Sequence, residues 1–277
     1  MIAARPLLPV PVVVGKGRLG SALAAAPAFS GRRLAHLSGR EALAAPRVVL
    51  DVVRQAGADA LLLLAVRDDA IAPVAAALAG AAVEVAAGPA ALHLSGVLGL
   101  APLAPLARMG FAVGSCHPLQ TFSGSHGDAG RFAGTAFAVD GEGEGLAAAE
   151  RLVGALGGWP VRVPPGRRGL YHLAASIGAN GLTALVGASR DALVAAGLAP
   201  AEALEALGPL LRAALEEALR LGPETSLTGP AARGDDATVE AHRRVALAWD
   251  ASRAALLEAL LREQSRLARR RPAGPGC

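Results

Sequence analysis

Lysine is almost missing from this 277-residue chain: of 27 basic side chains only Lys16 is one, so no lysine elsewhere is available for acid, base or Schiff-base work. Cysteine is nearly as scarce. Cys116 and Cys277 cannot build a disulfide framework and suit a reducing, cytoplasmic setting. Aromatic residues make up 3% of the chain, which leaves alanine, leucine and valine to form the core. The apolar start from Pro6 to Val14 imitates a secretion signal, but Pro9, Pro11 and the charged GKGR segment interrupt it, and no run is long and clean enough to span a membrane. His, Cys and carboxylates nowhere cluster at metal-ligand spacing, and there is no Gly-x-Ser-x-Gly elbow. The net charge of +4 is small, and Arg262, Arg266, Arg269, Arg270 and Arg271 crowd one end. A solvated basic tail accounts for them without nucleic acid.

Against these absences stands Val12 to Gly20, VVVGKGRLG, an apolar strand running into G-x-G-x-x-G. In that pattern Gly15 permits the tight strand-to-helix turn, Gly17 lets a pyrophosphate approach the backbone, and Gly20 lets the helix pack on the sheet. The free N–H groups and dipole of the following helix favour the anion. Lys16, Arg18 and Leu19 belong to the same cradle. Farther on, Ser38-Gly39-Arg40 ends a short strand over 33–37, where an acidic residue would favour the ribose hydroxyls of NAD. Serine and arginine there suit the extra phosphate of NADP, so NADP is expected and NAD is possible. The alternative is a polar loop in which Arg40 and Glu41 open the next helix.

Strand and helix then alternate. Asp59 to Val66 reads as a buried parallel strand, with Asp68 or Asp69 capping the next helix. Ala90 to Leu94 and Phe111 to Cys116 are further strands around a helix at Leu100 to Arg108. Thr135 to Val139 and Pro160 to Val163 are edge strands, with Leu146 to Leu156 as the helix between them. The alternation implies an α/β, Rossmann-like, doubly wound and mostly parallel sheet. Pro164-Pro165-Gly166 breaks it. Helical stretches, broken within themselves, follow at Leu170 to Ala196, Ala201 to Leu221 and Asp236 to Arg269, so the expected domains are 1–165 and an all-helical 166–277.

Candidate chemistry sits at the strand ends. His117, in Cys116-His117-Pro118-Leu119-Gln120, carries an imidazole able to move a proton near neutrality, or else merely bonds a neighbouring carbonyl. Cys116 reads as a small buried residue. Ser95, after His93-Leu94, is a candidate for the cofactor or the substrate, as are Val66 and Asp68 for the cofactor. His172, Ser176 and Asn180 recur at a spacing of four, about 6 Å apart per step on one helix face, beside Tyr171. Arg233, in the loop 227–235, has the fork to grip a carboxylate, while Asp235 caps a helix or pairs with it.

HLSG at His93, HPLQTF at His117, YHLAASIGAN at Tyr171 and LTGPAARGD at Leu227 together resemble a bacterial family that joins a Rossmann-like NAD(P)-binding domain to a helical domain of unknown function. That family is similar in architecture to the 6-phosphogluconate dehydrogenase-like superfamily, which includes pyrroline-5-carboxylate reductases, hydroxyisobutyrate dehydrogenases and ketopantoate reductases. HP-containing loops also occur in prephenate dehydrogenases. Many members of the superfamily place a catalytic lysine four residues before an asparagine, whereas here Ser176 stands four before Asn180. Proton transfer therefore falls to histidine, tyrosine, serine or water, with His117 or His172 as acid, Asn180 and Ser176 beside it, and Arg233, Gln120 and Tyr171 toward the substrate. The resemblance implies a fold, a cofactor class and a homodimer paired through its helices, and it supplies no substrate. Taken with the candidate residues, the expectation is an NADP(H)-dependent reductase of a small anionic carbonyl or imine in an interdomain cleft, and the charge and hydropathy above predict no nucleic-acid or membrane partner. A non-catalytic NAD(P)-binding sensor or scaffold, and prephenate-dehydrogenase-like oxidation, are the rival readings.

Overall fold

The computed structural model describes residues 10–31, 35–81, 83–84 and 88–271. The apolar start before Val10, Arg33 of the expected second strand, and the end of the basic tail with Cys277 lie outside the described residues. Two compact units are present, Met1–Ala179 and Asn180–Cys277.

The first unit is a seven-stranded sheet in the order β2-β1-β3-β4-β5-β6-β7. Its strands are β1 (Val10–Val14), β2 (Ala35–Leu37), β3 (Ala60–Leu64), β4 (Ala90–His93), β5 (Ala112–Pro118), β6 (Ala136–Gly141) and β7 (Trp159–Arg162). All neighbours run parallel except β5 and β6. The helices are α1 (Arg18–Ala24), α2 (Gly39–Ala44), α3 (Pro46–Ala56), α4 (Asp68–Gly80), α5 (Ala104–Arg108), α6 (Gly143–Ala155) and α7 (Arg168–Ser176). The expected Rossmann-like α/β architecture is what forms.

Alternation along the central strands divides the core into two layers. Val13, Leu61, Leu63 and Leu92 pack with Leu23 of α1 and Leu152 of α6. Val12, Val14, Leu62 and Leu64 pack with Leu50 of α3 and Val74 and Leu78 of α4. A strand covered on both faces must be apolar at every position, which is why β3 is an unbroken ALLLL with all five residues buried. The chain leaves β1 toward β2 on one side, while β3 pairs on the other, so the β1–β3 boundary is a topological switch point with a crevice at the carboxyl ends.

Local chemistry corrects several expectations. The N-cap of α4 is Arg67, and Asp68 and Asp69 lie in its first turn, where their charge complements the dipole without capping. The helix expected over Leu100–Arg108 is a 3-10 turn, Ala101–Leu103, followed by α5; Pro102 and Pro105, each without an N–H, are the second residues of these two elements. β6 is not an edge strand, because β7 pairs on its outer side. α3 has no counterpart among the expectations, although Val49, Leu50 and Val53 give it a buried stripe.

The second unit is helical: α8 (Leu182–Ala195), α9 (Pro200–Leu221), the single turns α10 (Pro223–Ser226) and α11 (Pro230–Arg233), α12 (Asp236–Trp249) and α13 (Ala251–Ala268). Between α7 and α8 lies a π-helical turn, Ile177–Gly181, so the stretch from Leu170 to Ala196 is not one uniform α-helix. Gly178 and Gly181 weaken the α-helical preference there. Asp235 accepts from Thr238 N–H at 3.1 Å and caps α12, and Asp250 does the same for α13 through Ser252 N–H at 2.7 Å. Arg253 of α13 reaches Asp191 of α8 at 2.6 Å, and Arg243 of α12 reaches Glu258 of α13 at 2.6 Å.

Candidate functional site

Two groups of residues occupy the carboxyl edge of the sheet. The first surrounds the glycine turn, and each glycine there has a different reason to be one. Gly15 has φ +135°, and a side chain on it would run into the Ala65 carbonyl. A side chain on Gly20 would run into the Gly15 carbonyl, so α1 sits on its own entry turn only without one. Gly17 has open space where a Cβ would stand, so no packing within the protein demands glycine there. It lines a cavity instead. β2 holds the turn from the side: Gly15 N–H donates to the Leu37 carbonyl at 2.7 Å, and His36 Nε2 bonds the Gly15 carbonyl at 2.9 Å.

A cavity of about 940 Å³ opens over this turn. Gly15 to Leu19 line it, as do Ser38, Gly39 and Arg40 after β2, Val66, Arg67 and Asp69 after β3, and Leu94 after β4. Asp68 stands next to this lining in the first turn of α4. Four cations border the opening. Lys16 is bound to Glu41 at 2.9 Å and Arg67 to Asp69 at 2.8 Å, whereas Arg18 and Arg40 have no ion pair among the described residues. Ser38 is the N-cap of α2, its Oγ accepting from Glu41 N–H at 3.2 Å while its own N–H donates to the Glu41 carboxylate. These hydrogen bonds and Lys16 pull the Glu41 carboxyl down to about 2. Arg40 and Glu41 thus do open a helix, and Arg40 still faces the cavity.

The second group is a polar band on one face of β4, β5 and β6. Register sets it up: Ser115 is opposite His93 on one side and Asp140 on the other, and His117 follows two residues along β5. Cys116 points to the other face, fully buried, and burial pushes its thiol up, which suits a packing residue and not a nucleophile. α7 lies against the band. Arg168, 8% exposed, donates to the Ser95 carbonyl at 2.9 Å and faces Asp140 at 3.6 Å. One turn on, Tyr171 Oη lies 2.9 Å from His117 Nδ1 and 3.3 Å from the His117 carbonyl. His172 presents its ring edge to His117 with centroids 5.9 Å apart.

Gly96 is where the imidazoles converge. A Cβ there would stand 2.7 Å from His172 Cδ2 and 2.8 Å from His117 Nε2. The turn bearing Gly96 is tied at many points. Ser95 N–H donates to His93 Nδ1 at 3.2 Å, which leaves the proton on Nε2 to donate to the Gly99 carbonyl at 3.0 Å. Ser95 Oγ accepts from Val97 and Leu98 N–H at 3.3 and 3.1 Å, so its hydroxyl is engaged in shaping the loop. Burial lowers His93 to about 4. His117 is also lowered to about 4, by burial first and then by His172 and Arg168, so the near-neutral titration expected of an ordinary imidazole does not hold for it. Burial raises Tyr171 to about 12.

The remaining candidates make no hydrogen bond with the band among the described residues. Gln120 bonds Thr135 Oγ1 at 3.4 Å and Thr121 N–H at 2.8 Å. Ser176 ends α7. Asn180, in the π turn, opens the second compact unit, and Arg233 ends α11 in that unit with no ion pair among the described residues. Sequence reasoning missed Gly96, Asp140 and Arg168. Their signal is nonlocal, since only strand register and the docking of α7 bring them to His117. No group of His, Cys and carboxylates able to hold a metal occurs among the described residues, and no helix there is long and apolar enough to cross a membrane.

The fold and the glycine turn place the first unit in the Rossmann-like class. Residues 135–264, just under half the chain, match a family model described as a domain of unknown function, DUF2520. Comparison with curated proteins finds no match in sequence. The chain is similar in fold to protein TM1727 from Thermotoga maritima, at TM-score 0.68 and 21% identity over 94% of this chain and 99% of that one. It is equally similar to BF3122 from Bacteroides fragilis, provisionally named an NADP oxidoreductase, at TM-score 0.68 and 22% identity over 93% and 98%. The reductive aminase from Aspergillus terreus, solved with NADPH and ethyl-5-oxohexanoate, follows at 0.61 and 19% over 93% and 94%. These likenesses establish the fold.

Proposed function

We propose that this chain is an NADP(H)-dependent oxidoreductase that reduces a small anionic carbonyl or imine compound, acting as a cytoplasmic homodimer. The observation that carries the reading is the cavity over Gly15–Gly20 with two cations at its border, Arg18 and Arg40, that have no ion pair among the described residues. A pyrophosphate fits the N-terminus of α1, and Arg40, at the start of α2 beyond β2, suits the 2′-phosphate that distinguishes NADP from NAD. Gly17, free of any packing demand, keeps the approach open. The A. terreus enzyme, solved with NADPH, supports the cofactor.

When bound, the nicotinamide dinucleotide supplies the hydride. The protein's part is position and a proton. Tyr171 Oη–H donates to His117 Nδ1, the shorter of its two contacts, and this places the His117 proton on Nε2 beside Gly96. With His117 lowered to about 4, that N–H is an uncharged donor at neutral pH, suited to polarising a carbonyl or imine. His172 lies beside it as the assigned proton source, with Ser176 farther along α7. Asn180 and Arg233 are assigned to the substrate's orientation and carboxylate. Leu210, Leu219, Val245 and Leu247, each at least 65% exposed in the second unit, support the homodimer.

Parallel titration with NADPH and NADH, followed by nicotinamide fluorescence and heat, tests the cofactor. Tighter NADPH binding, abolished in a stably folded Gly17→Val, is the expected result; no binding of either nucleotide overturns the reading. Binding without turnover across a panel of keto and imino acids would favour a sensor.

A further inference from the structure

The buried guanidinium of Arg168 does not line the cavity over the glycine turn, yet the chain commits much to it. It is the one arginine among the described residues that is buried, and burial lowers its own proton affinity. Its partners are a main-chain carbonyl at 2.9 Å and a carboxylate at 3.6 Å, and its Nε has none. So costly an arrangement is poorly explained as a stabilising ion pair. Its position explains it better. The carbonyl it holds belongs to Ser95, immediately before Gly96, and the helix turn it begins carries Tyr171 and His172.

We propose that Arg168 is a positioning residue for His117: it clamps the Ser95–Gly96 turn beneath the two imidazoles, anchors α7 so that Tyr171 meets His117 Nδ1, and places a fixed positive charge beside the ring. The inference rests on His117 being the proton-bearing group proposed above. Three geometric links support it, namely Arg168 to the Ser95 carbonyl, Gly96 to both imidazoles, and Tyr171 to His117. The groups facing His117 are Tyr171, His172 and Arg168 from α7, His93 from β4 and Asp68 from α4, with Asp140 of β6 against Arg168. Among them Arg168 and the neighbouring imidazoles disfavour a cationic ring, whereas Asp68 favours one. Removing the guanidinium therefore also leaves Asp140 without its cation, and both changes draw a proton to His117.

The test is the titration of the His117 imidazole in the full-length protein by long-range 1H–15N NMR, assigned with His117→Gln. The expected result is that wild type and Arg168→Lys, which keeps the charge, hold an uncharged ring with the proton on Nε2 down to about pH 5. In Arg168→Met the ring should titrate higher by about one pH unit or more and lose its single tautomer. A purely structural arginine would lower stability without moving the ring, so an unchanged titration in folded Arg168→Met overturns the proposal. If that variant does not fold, Arg168→Gln is read in the same way, since it keeps donors but no charge: an upward shift supports the proposal and an unmoved ring overturns it. NADPH titration of the wild type is independent of this result, so failure to bind would overturn the cofactor reading and leave the His117 result standing.

Discussion

The glycine-turn cavity and the polar band lie along one sheet edge but are built in opposite ways. The cavity is open and bordered by exposed cations, and the turn it opens over is one continuous stretch, Gly15 to Gly20. The band is packed beneath α7 and assembled from β4, β5, β6 and α7, with no two neighbouring elements supplying more than part of it. A binding surface for a charged, flexible ligand needs access and free N–H groups, which a local motif can provide. A proton-bearing imidazole needs a controlled charge and tautomer, which only surroundings on several sides can impose.

The largest effect that separates the two regions is expected within the motif itself. Gly20→Val drives a side chain into the Gly15 carbonyl and should cost about 3 kcal/mol of stability together with cofactor binding. A Cβ at Gly17 meets nothing within 4 Å, and Gly17→Val should leave the denaturation midpoint nearly unchanged while removing nucleotide binding. Equal loss of stability in both variants would break the assignment of Gly20 to packing and Gly17 to access.

The band should instead reveal itself through acid. His93 is fully buried and lowered from 6.5 to about 4, so between these values the unfolded chain binds the proton more readily than the native one. Its contribution is complete above pH 6.5 and is lost as the pH falls toward 4, on the order of 3 kcal/mol. Denaturant unfolding at a series of pH values, compared with His93→Gln, should show a shallower pH dependence in the variant. Identical slopes would mean that His93 is not held neutral by burial.

Arg40 tests the cavity on a finer scale. Arg40→Ala should weaken NADPH by about tenfold, roughly 1.4 kcal/mol, and leave NADH within error. An equal loss for both nucleotides would place Arg40 on the shared pyrophosphate and not on the 2′-phosphate.

Legibility in the sequence follows the same division. Gly15, Gly17 and Gly20 could each be given a separate role because a strand–turn–helix motif carries its geometry within a few residues, and the buried strand at Leu61–Leu64 stood out by being apolar at every position. His117 was visible as a strand-end residue, but its lowered proton affinity was not, because that depends on burial and on His172 and Arg168 brought in by α7. Gly96 carries no local signal in a glycine-rich chain, because the two imidazoles that stand where its side chain would be come from β5 and α7. The spacing of His172, Ser176 and Asn180 suggested one uniform helix face, and the π turn at Ile177–Gly181 interrupts it for reasons that a four-residue periodicity does not register.

The smallest predicted effect is the most specific to the band. Tyr171→Phe removes one hydroxyl that bonds His117 Nδ1 at 2.9 Å while keeping the ring that packs edge-on against it at 5.6 Å. The stability cost should be about 1 kcal/mol, seen as a lower denaturation midpoint with unchanged slope. Nucleotide affinity should stay as in wild type, because the cavity lining does not include Tyr171. The His117 ring, without the hydroxyl proposed to hold its proton on Nε2, should populate both neutral tautomers in the NMR spectrum. A ring that keeps one tautomer in this variant would show that the backbone around Gly96, and not Tyr171, selects it.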